Sequence, residues 1–404
     1  MDSYDAVVVG ASTAGCTAAR FLAFAGARVA LVERRPDPDA YKTVCTHYIQ
    51  PSATPTIEHL GLAPLIEERG AVRNSIDLWT PYSGWIRPQG EFPYGYNVTR
   101  RTLDPLLRKL AADTPGVDFM PGQSVVALRQ NGRVSGVEIE DTSRVRRSLD
   151  ARVVVAADGR DSGLARLAGV PGRVRPHRRF FYWSYWSGFE PGNTRSRMWF
   201  MEPDCAYTFP NEDGLAIVLV APHESRLPEF REDLEGAYMR YLAALPDAPD
   251  FSGATREGKM IGKLKLPNVM RPAAAPGIAF VGDAALASDP LWGVGCGWAF
   301  QSAEWMAESI GPALAGDGDV DVDAALSRYR KIHRRRLGPH HFLIADLASA
   351  RPANPFEKAM YRAAAHDPRV YAAFEAVGAR RKSPAVTFNP RVLAGILRPE
   401  KVRS

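Results

Sequence analysis

The chain has 404 residues, 46% of them hydrophobic and 24% charged, and a net charge of +6; that length exceeds one ordinary core and predicts two or three structural regions of a soluble globular protein. No apolar run approaches the roughly 20 residues that span a bilayer, and four scattered cysteines argue against a disulfide framework. A basic excess between Lys331 and Ser404, fifteen Lys/Arg against five Asp/Glu, comes without a recognition motif and argues against nucleic-acid binding.

A strand almost at the first residue leaves no room for a signal peptide, so the expected compartment is the cytoplasm. Residues 7–34 read VVVGASTAGCTAARFLAFAGARVALVER. The apolar run Ala6–Val9 meets a glycine turn, an alanine-rich helical stretch follows, and a second apolar run (Val29–Val32) ends in Glu33. This is a βαβ unit suited to a dinucleotide. Gly10 permits the tight turn and Gly15 lets the helix pack close to the sheet. The turn and helix start, with Ser12, Thr13 and Ala14, offer free N–H groups and a positive dipole end to a pyrophosphate. Glu33, followed by Arg34, is placed to accept a hydrogen bond from a ribose hydroxyl. Ser12 replaces the middle glycine of G-x-G-x-x-G and tightens the backbone approach without blocking it. By itself the unit does not separate NAD from FAD.

Further along, Ala53–Leu60 predicts a short helix, and LDPLLRKLAA (Leu103–Ala112) has helical apolar spacing. Asp118 to Val154 alternates as short strands, with turn signals at Gly122, Asn131-Gly132 and Gly136. Another strand, Ala151–Ala157, runs into Asp158-Gly159. From Phe180 to Pro222, FFYWSYWSGF, RMWFMEP, CAYTFP and LAIVLVAP read as strands of an antiparallel sheet. Alternation places Phe181, Trp183 and Tyr185 on one face of the first of these and Phe180, Tyr182 and Trp186 on the other. One set would pack against structure and the other could line a cavity. Nucleotide-type texture returns at GIAFVGD (Gly277–Asp283), followed by a glycine-rich loop and a helix over Trp298–Ile310. The last 85 residues read as mostly helical, broken by prolines at 339, 352, 355, 368, 384, 390 and 399.

The fold expected is α/β: a Rossmann-like nucleotide domain (1–75, 103–178 and 270–318) interrupted by an antiparallel-sheet substrate domain (76–102 and 179–269), with a helical C-terminal region (319–404). Three more segments decide the cofactor. They are YNVTRRTLDPLL (Tyr96–Leu107), VVVAADGRDSGLAR (Val153–Arg166) and GIAFVGDAALASDPLWGVGCGWAFQSAEW (Gly277–Trp305). With the first glycine turn they resemble the glutathione-reductase-type FAD superfamily, in the branch holding flavin monooxygenases, geranylgeranyl reductases and flavin halogenases.

The resemblance implies FAD. Gly10, Ser12, Thr13, Ala14, Gly15, Glu33 and Arg34 would hold the ADP end. Arg100 would contact the flavin side chain or pyrophosphate, and Asp158 would sit behind the cofactor. Asp283, after Gly282, would bind a ribityl hydroxyl. The loop around Pro290, Gly293, Val294 and Gly295 would let backbone N–H groups approach the flavin ring. There is no second dinucleotide fingerprint, so NAD(P)H would bind transiently or a partner flavin reductase would supply reduced flavin. No metal is expected.

The resemblance leaves several reactions open. Halogenases of this type need a relay lysine after the first unit, yet no lysine occurs between Lys42 and Lys109. Their paired tryptophans are also missing, since Trp183 and Trp186 stand three apart. Reductases carry Cys-Gly-Gly-Gly before an apolar residue and a proline; here Cys45 to Pro51 keeps the cysteine and, roughly, the proline spacing but replaces every glycine. Cys45, His47, Cys296 and Trp298 are pocket candidates. The leading expectation is a monooxygenase that inserts one atom of molecular oxygen into a hydrophobic or aromatic small molecule through a flavin C4a-hydroperoxide. The alternative is a C=C reductase or dehydrogenase.

Overall fold

Val7, Val8, Leu31 and Val155 are wholly excluded from solvent, as apolar runs covered on both faces of a parallel sheet must be. The computed structural model describes residues 2–88, 90, 93–188, 195–315 and 321–397. Eight elements frame the site: β1 (Asp2–Val9), α1 (Thr13–Phe24), β2 (Val29–Glu33), α2 (Arg100–Ala112), β3 (Arg146–Ala156), β4 (Phe181–Ser187), α3 (Gly295–Leu314) and α4 (Val322–Leu347).

The first sheet has eight strands, in the order Ala274–Ala275, Ile278–Phe280, β3, β1, β2 and Val117–Pro121. Strand Val134–Glu140 adds antiparallel to β3, and Ser124–Gln130 adds antiparallel to it in turn. From Ile278–Phe280 to Val117–Pro121 the neighbours are parallel, and Val7 lies opposite both Ala30 and Val154. Their carboxyl ends converge. Gly10 follows β1, Glu33 ends β2, Ala157 follows β3 and Gly282 follows the Ile278–Phe280 strand, which creates the crevice where α/β sheets bind ligands. Helix α3 lies against α1, and a Cβ on Gly311 would stand 2.7 Å from Ala25 Cβ.

The second sheet has seven strands, in the order Thr255–Lys263, β4, Ala216–Ala221, Cys205–Pro210, Ser196–Phe200, Ile76–Thr80 and Gly84–Ile86. It is antiparallel except where Ser196–Phe200 meets Ile76–Thr80 in parallel. One face packs Phe180, Tyr182 and Trp186 with Phe230 and Tyr238 of the helices over 227–243. On the other, Phe181, Trp183 and Tyr185 share an apolar cluster with Tyr48, Leu291 and the C-terminal residues Tyr361 and Val370. Packing thus separates the two aromatic sets of β4.

Several local expectations are corrected. Gly136 does not turn the chain; it sits inside a strand at a bulge, where a Cβ would stand 2.3 Å from Leu149 O. The turn is made instead at Asp141, whose carboxylate accepts the Ser143 and Val145 N–H groups. Pro339 lies within α4 and does not end it, whereas Pro355, Pro368, Pro384 and Pro390 open helices, the position where a missing N–H costs nothing. Phe189, Pro399 and the expected boundary at 318/319 fall outside the described residues.

Candidate functional site

The glycine turn needs its glycines. Gly10 has φ +104°, and a Cβ there would stand 2.6 Å from Ala157 O, while one on Gly15 would meet Gly10 O at 1.7 Å. Ser12 precedes α1 in extended backbone without capping it. The first intrahelical bond runs from Cys16 N–H to Ser12 O, so the N–H groups of Thr13, Ala14 and Gly15 face out of the helix start. Thr13 Oγ1 is buried and unpartnered. Free first-turn amides, an orphaned hydroxyl and a cradle that a Cβ would fill suit a pyrophosphate. Glu33 holds this turn from the neighbouring strand. Its Oε2 accepts the Ala11 N–H at 2.7 Å and its Oε1 the Arg35 N–H at 3.0 Å. Arg34 is exposed beside it.

Thr99 caps α2, which delivers Arg100 into the crevice. The guanidinium is buried, 4% exposed, and pairs with Asp104 one turn on at 2.6 Å. One nitrogen also donates to Ser12 Oγ at 2.6 Å, and another points at Cys296 Sγ, 3.6 Å away, and Cys45 Sγ, 4.0 Å away. Burial works against the charge, but Asp104 and the two thiols outweigh it and raise the Arg100 pKa. Arg108, again one turn on, donates to Ala11 O at 3.0 Å and to the carbonyls of Pro38 and Ala40. Sequence reasoning missed Arg108. The i, i+4, i+8 series Arg100, Asp104, Arg108 on one helix face was the available signal.

Asp283 ion-pairs with Lys42 at 3.1 Å; burial opposes its charge, but Lys42 outweighs it and lowers its pKa. Gly282 donates its N–H to Ser302 Oγ, and a Cβ on it would touch Ala14 Cβ at 2.9 Å. Asp158 accepts the Leu164 N–H at the start of a short helix, with its Oδ1 buried and unpartnered.

The segment read as a loop from Pro290 to Gly297 is more ordered than expected. Asp289 caps a 3-10 turn over Pro290–Trp292, Gly293 turns with φ +60°, and α3 follows Val294 without a side-chain cap, beginning at Gly295 and not at Trp298. Cys296, Gly297 and Trp298 therefore ride on the first turn of a 20-residue helix. A Cβ on Gly293 would stand 2.9 Å from the Tyr48 ring. Trp298 and Trp183 both hold a buried, unpartnered Nε1–H.

Cys45, His47 and Cys296, far apart in sequence, meet around Arg100. The two sulfurs lie 3.6 Å apart. His47 has φ +63°, in the left-handed region that few non-glycine residues adopt, and is 2% exposed. Its Nδ1 accepts the Arg100 backbone N–H at 3.1 Å, and its Nε2 lies 2.6 Å from Tyr185 Oη. An Nδ1 that accepts places the neutral ring's proton on Nε2. Nε2 then donates to Tyr185, whose own hydroxyl proton is free to point elsewhere. Burial, then the neighbouring Cys45, pushes the Tyr185 pKa up, so the phenol stays protonated.

Comparison with known proteins fits this arrangement. The sequence profile of a family described as FAD binding domain matches residues 3–233. The digeranylgeranylglycerophospholipid reductase of Thermoplasma acidophilum is 24% identical over 360 residues, which cover 84% of this chain and 86% of the relative. Among solved structures, a flavin-dependent brominase superposes with a TM-score of 0.80 at 17% identity, covering 94% of each chain. The p-nitrophenol 4-monooxygenase of Pseudomonas putida superposes with a TM-score of 0.76 at 20% identity, covering 95% of this chain and 99% of that one. At these identities the structural likeness speaks for the fold alone. No helix among the described residues is long and apolar enough to cross a membrane.

Proposed function

The chain belongs to the FAD binding domain family and is an FAD-dependent oxidoreductase, and from that premise we propose that it is a monooxygenase acting on a hydrophobic or aromatic small molecule. The carrying observation is that Trp183 and Tyr185 project from β4 into the same apolar cluster as Tyr48 and Leu291, next to the glycine-rich start of α3. That face offers aromatic surface and one free phenol proton beside the crevice.

In this reading the α1 start and Gly10 to Gly15 hold the pyrophosphate of FAD, and Glu33 keeps lone pairs for the adenosine ribose. Arg100 and Asp283 face the middle of the cofactor, and the α3 start meets the ring. Bound FAD would supply hydride acceptance from NAD(P)H, or electrons brought by a partner reductase, and activation of molecular oxygen. Residues of the chain do the rest. Trp183 and its neighbours exclude water and orient the substrate, and Tyr185 donates a hydrogen bond to a substrate oxygen while His47 fixes its direction. The three-part domain division at 75/76, 102/103, 178/179, 269/270 and 318/319 belongs to this reading, as does descent from the glutathione-reductase-type superfamily.

Halogenation is disfavoured because Lys42 is already engaged by Asp283 and no lysine follows before Lys109. A second reading, reduction of a C=C bond, draws on Cys45 beside Arg100 and on the reductase relative. Turnover under isotopically labelled oxygen, with NAD(P)H and a panel of phenolic and polyene substrates, separates the two. Label in the product supports oxygen transfer. Anaerobic saturation of a polyene without label overturns it in favour of reduction.

A further inference from the structure

Cys45 and Cys296 are 251 positions apart, yet their sulfurs lie at 3.6 Å. Cys296 is fixed on the first turn of α3 and is 7% exposed, whereas Cys45 is half-buried in an irregular stretch before the short Tyr48–Ile49 strand. The His47 backbone N–H donates to Cys45 Sγ at 3.3 Å, and the Arg100 guanidinium faces both sulfurs. A cation and an N–H aimed at a sulfur are the surroundings of a reactive thiolate.

We propose that Cys45 and Cys296 form an oxidisable dithiol that hydrogen peroxide converts to a disulfide, with Cys45 the attacking sulfur and Cys296 the resolving one. The Cys45 thiolate attacks one peroxide oxygen; the O–O bond breaks, hydroxide leaves and Cys45 becomes a sulfenic acid. The Cys296 thiol then attacks that sulfur; the S–S bond forms, the S–O bond breaks and water leaves with the thiol proton. The two sulfurs together lose two electrons, and the peroxide is reduced to water and hydroxide.

The charge distribution agrees with these roles. The hydrogen bond from Cys296, then those from His47 and the Arg100 charge, hold the Cys45 thiol well below its usual pKa against the effect of burial. The same hydrogen bond keeps the proton on Cys296. The other two cysteines are inert by contrast. Cys16 is 1% exposed, and burial raises its pKa. Cys205 is 3% exposed, and burial pushes its pKa up to about 11. The inference goes beyond the proposed reaction and holds whether the enzyme transfers oxygen or hydride.

The test uses the FAD-loaded protein, reduced, desalted under argon and titrated with hydrogen peroxide. Free thiols should fall from four to two, peptide mapping should show one Cys45–Cys296 link, and dithiothreitol should reverse it. In Cys296→Ser the link should vanish and Cys45 should accumulate as a sulfenic acid trapped by dimedone. Four thiols surviving excess peroxide, a link through Cys16 or Cys205, or oxidation of Cys296 before Cys45 would overturn the proposal. Should Cys296→Ser not fold, the pH profile of Cys45 alkylation in the unaltered protein decides. A midpoint below the free-cysteine value of about 8.5 is expected, and one at or above it refutes the thiolate.

Discussion

Arg100 reaches across from α2 to donate to Ser12 Oγ at 2.6 Å, so the residue that departs from the glycine motif anchors a buried guanidinium. Ser12→Gly restores the commoner residue at that position but removes a hydrogen bond from a charged donor. It is expected to destabilise the fold by about 1.5 kcal/mol and to weaken FAD binding. Urea unfolding reads the first effect and flavin fluorescence titration the second. An unchanged or raised midpoint would show that the contact carries no energy.

Two glycines with similar backbone conformations should behave differently. Gly10 and Gly159 have φ of +104° and +86°, but a Cβ on Gly10 meets Ala157 O whereas one on Gly159 meets nothing within 4 Å. Gly159→Ala is expected to cost about 1 kcal/mol for the left-handed backbone alone. Gly10→Ala adds the clash and is expected to cost about 3 kcal/mol, with loss of bound FAD. Equal costs by urea unfolding would sink the distinction.

The opposed faces at the start of β4 and the residue before it give a paired test. Phe180 is 1% exposed and packs edge-on against Phe230 at 5.1 Å. Phe180→Ala should cost about 3–5 kcal/mol and leave KM alone in the folded fraction. Trp183→Phe removes a buried, unpartnered N–H, so its stability cost should stay below about 1.5 kcal/mol while KM rises. If both variants moved KM alike, the cavity would not lie on the Trp183 face.

Tyr185→Phe keeps the ring and loses the proton that His47 directs. Turnover should fall by about 100-fold with FAD affinity unchanged. Stopped-flow and steady-state rates check this, and an unaltered kcat would remove Tyr185 from the chemistry.

Acid should destabilise the fold through buried histidines on α4. Burial, then the neighbouring His341, lowers the His333 pKa to about 4. Burial similarly lowers His341 to about 4 and His340 to about 3. Below about pH 6.5 the unfolded chain takes up protons that the folded chain refuses, so these groups make stability fall as pH drops from about 6.5 to about 4, each by up to about 1.4 kcal/mol per pH unit. His333→Leu should remove one proton from that slope. Urea midpoints across this range give the measurement, and an unchanged slope would contradict it.

The sequence by itself determined the βαβ start, the glycine turn and the aromatic strands, and its four ordered motifs, by their resemblance to a flavoprotein family, implied the cofactor class. The first three rest on local requirements: a buried parallel strand must be an apolar run, and a turn at φ +104° favours glycine. It misread the start of α3, because two glycines in a first turn carry poor helix propensity that tertiary packing overrides. Only the tertiary structure decided which apolar cluster each aromatic set joins and which distant side chains meet. Ser12 and Arg100 are 88 positions apart, His47 and Tyr185 138, and Cys45 and Cys296 251. Such pairs leave no periodicity in a chain; they exist because the strand ends, α2, α3 and β4 converge on one crevice, and packing sets which atoms come within reach.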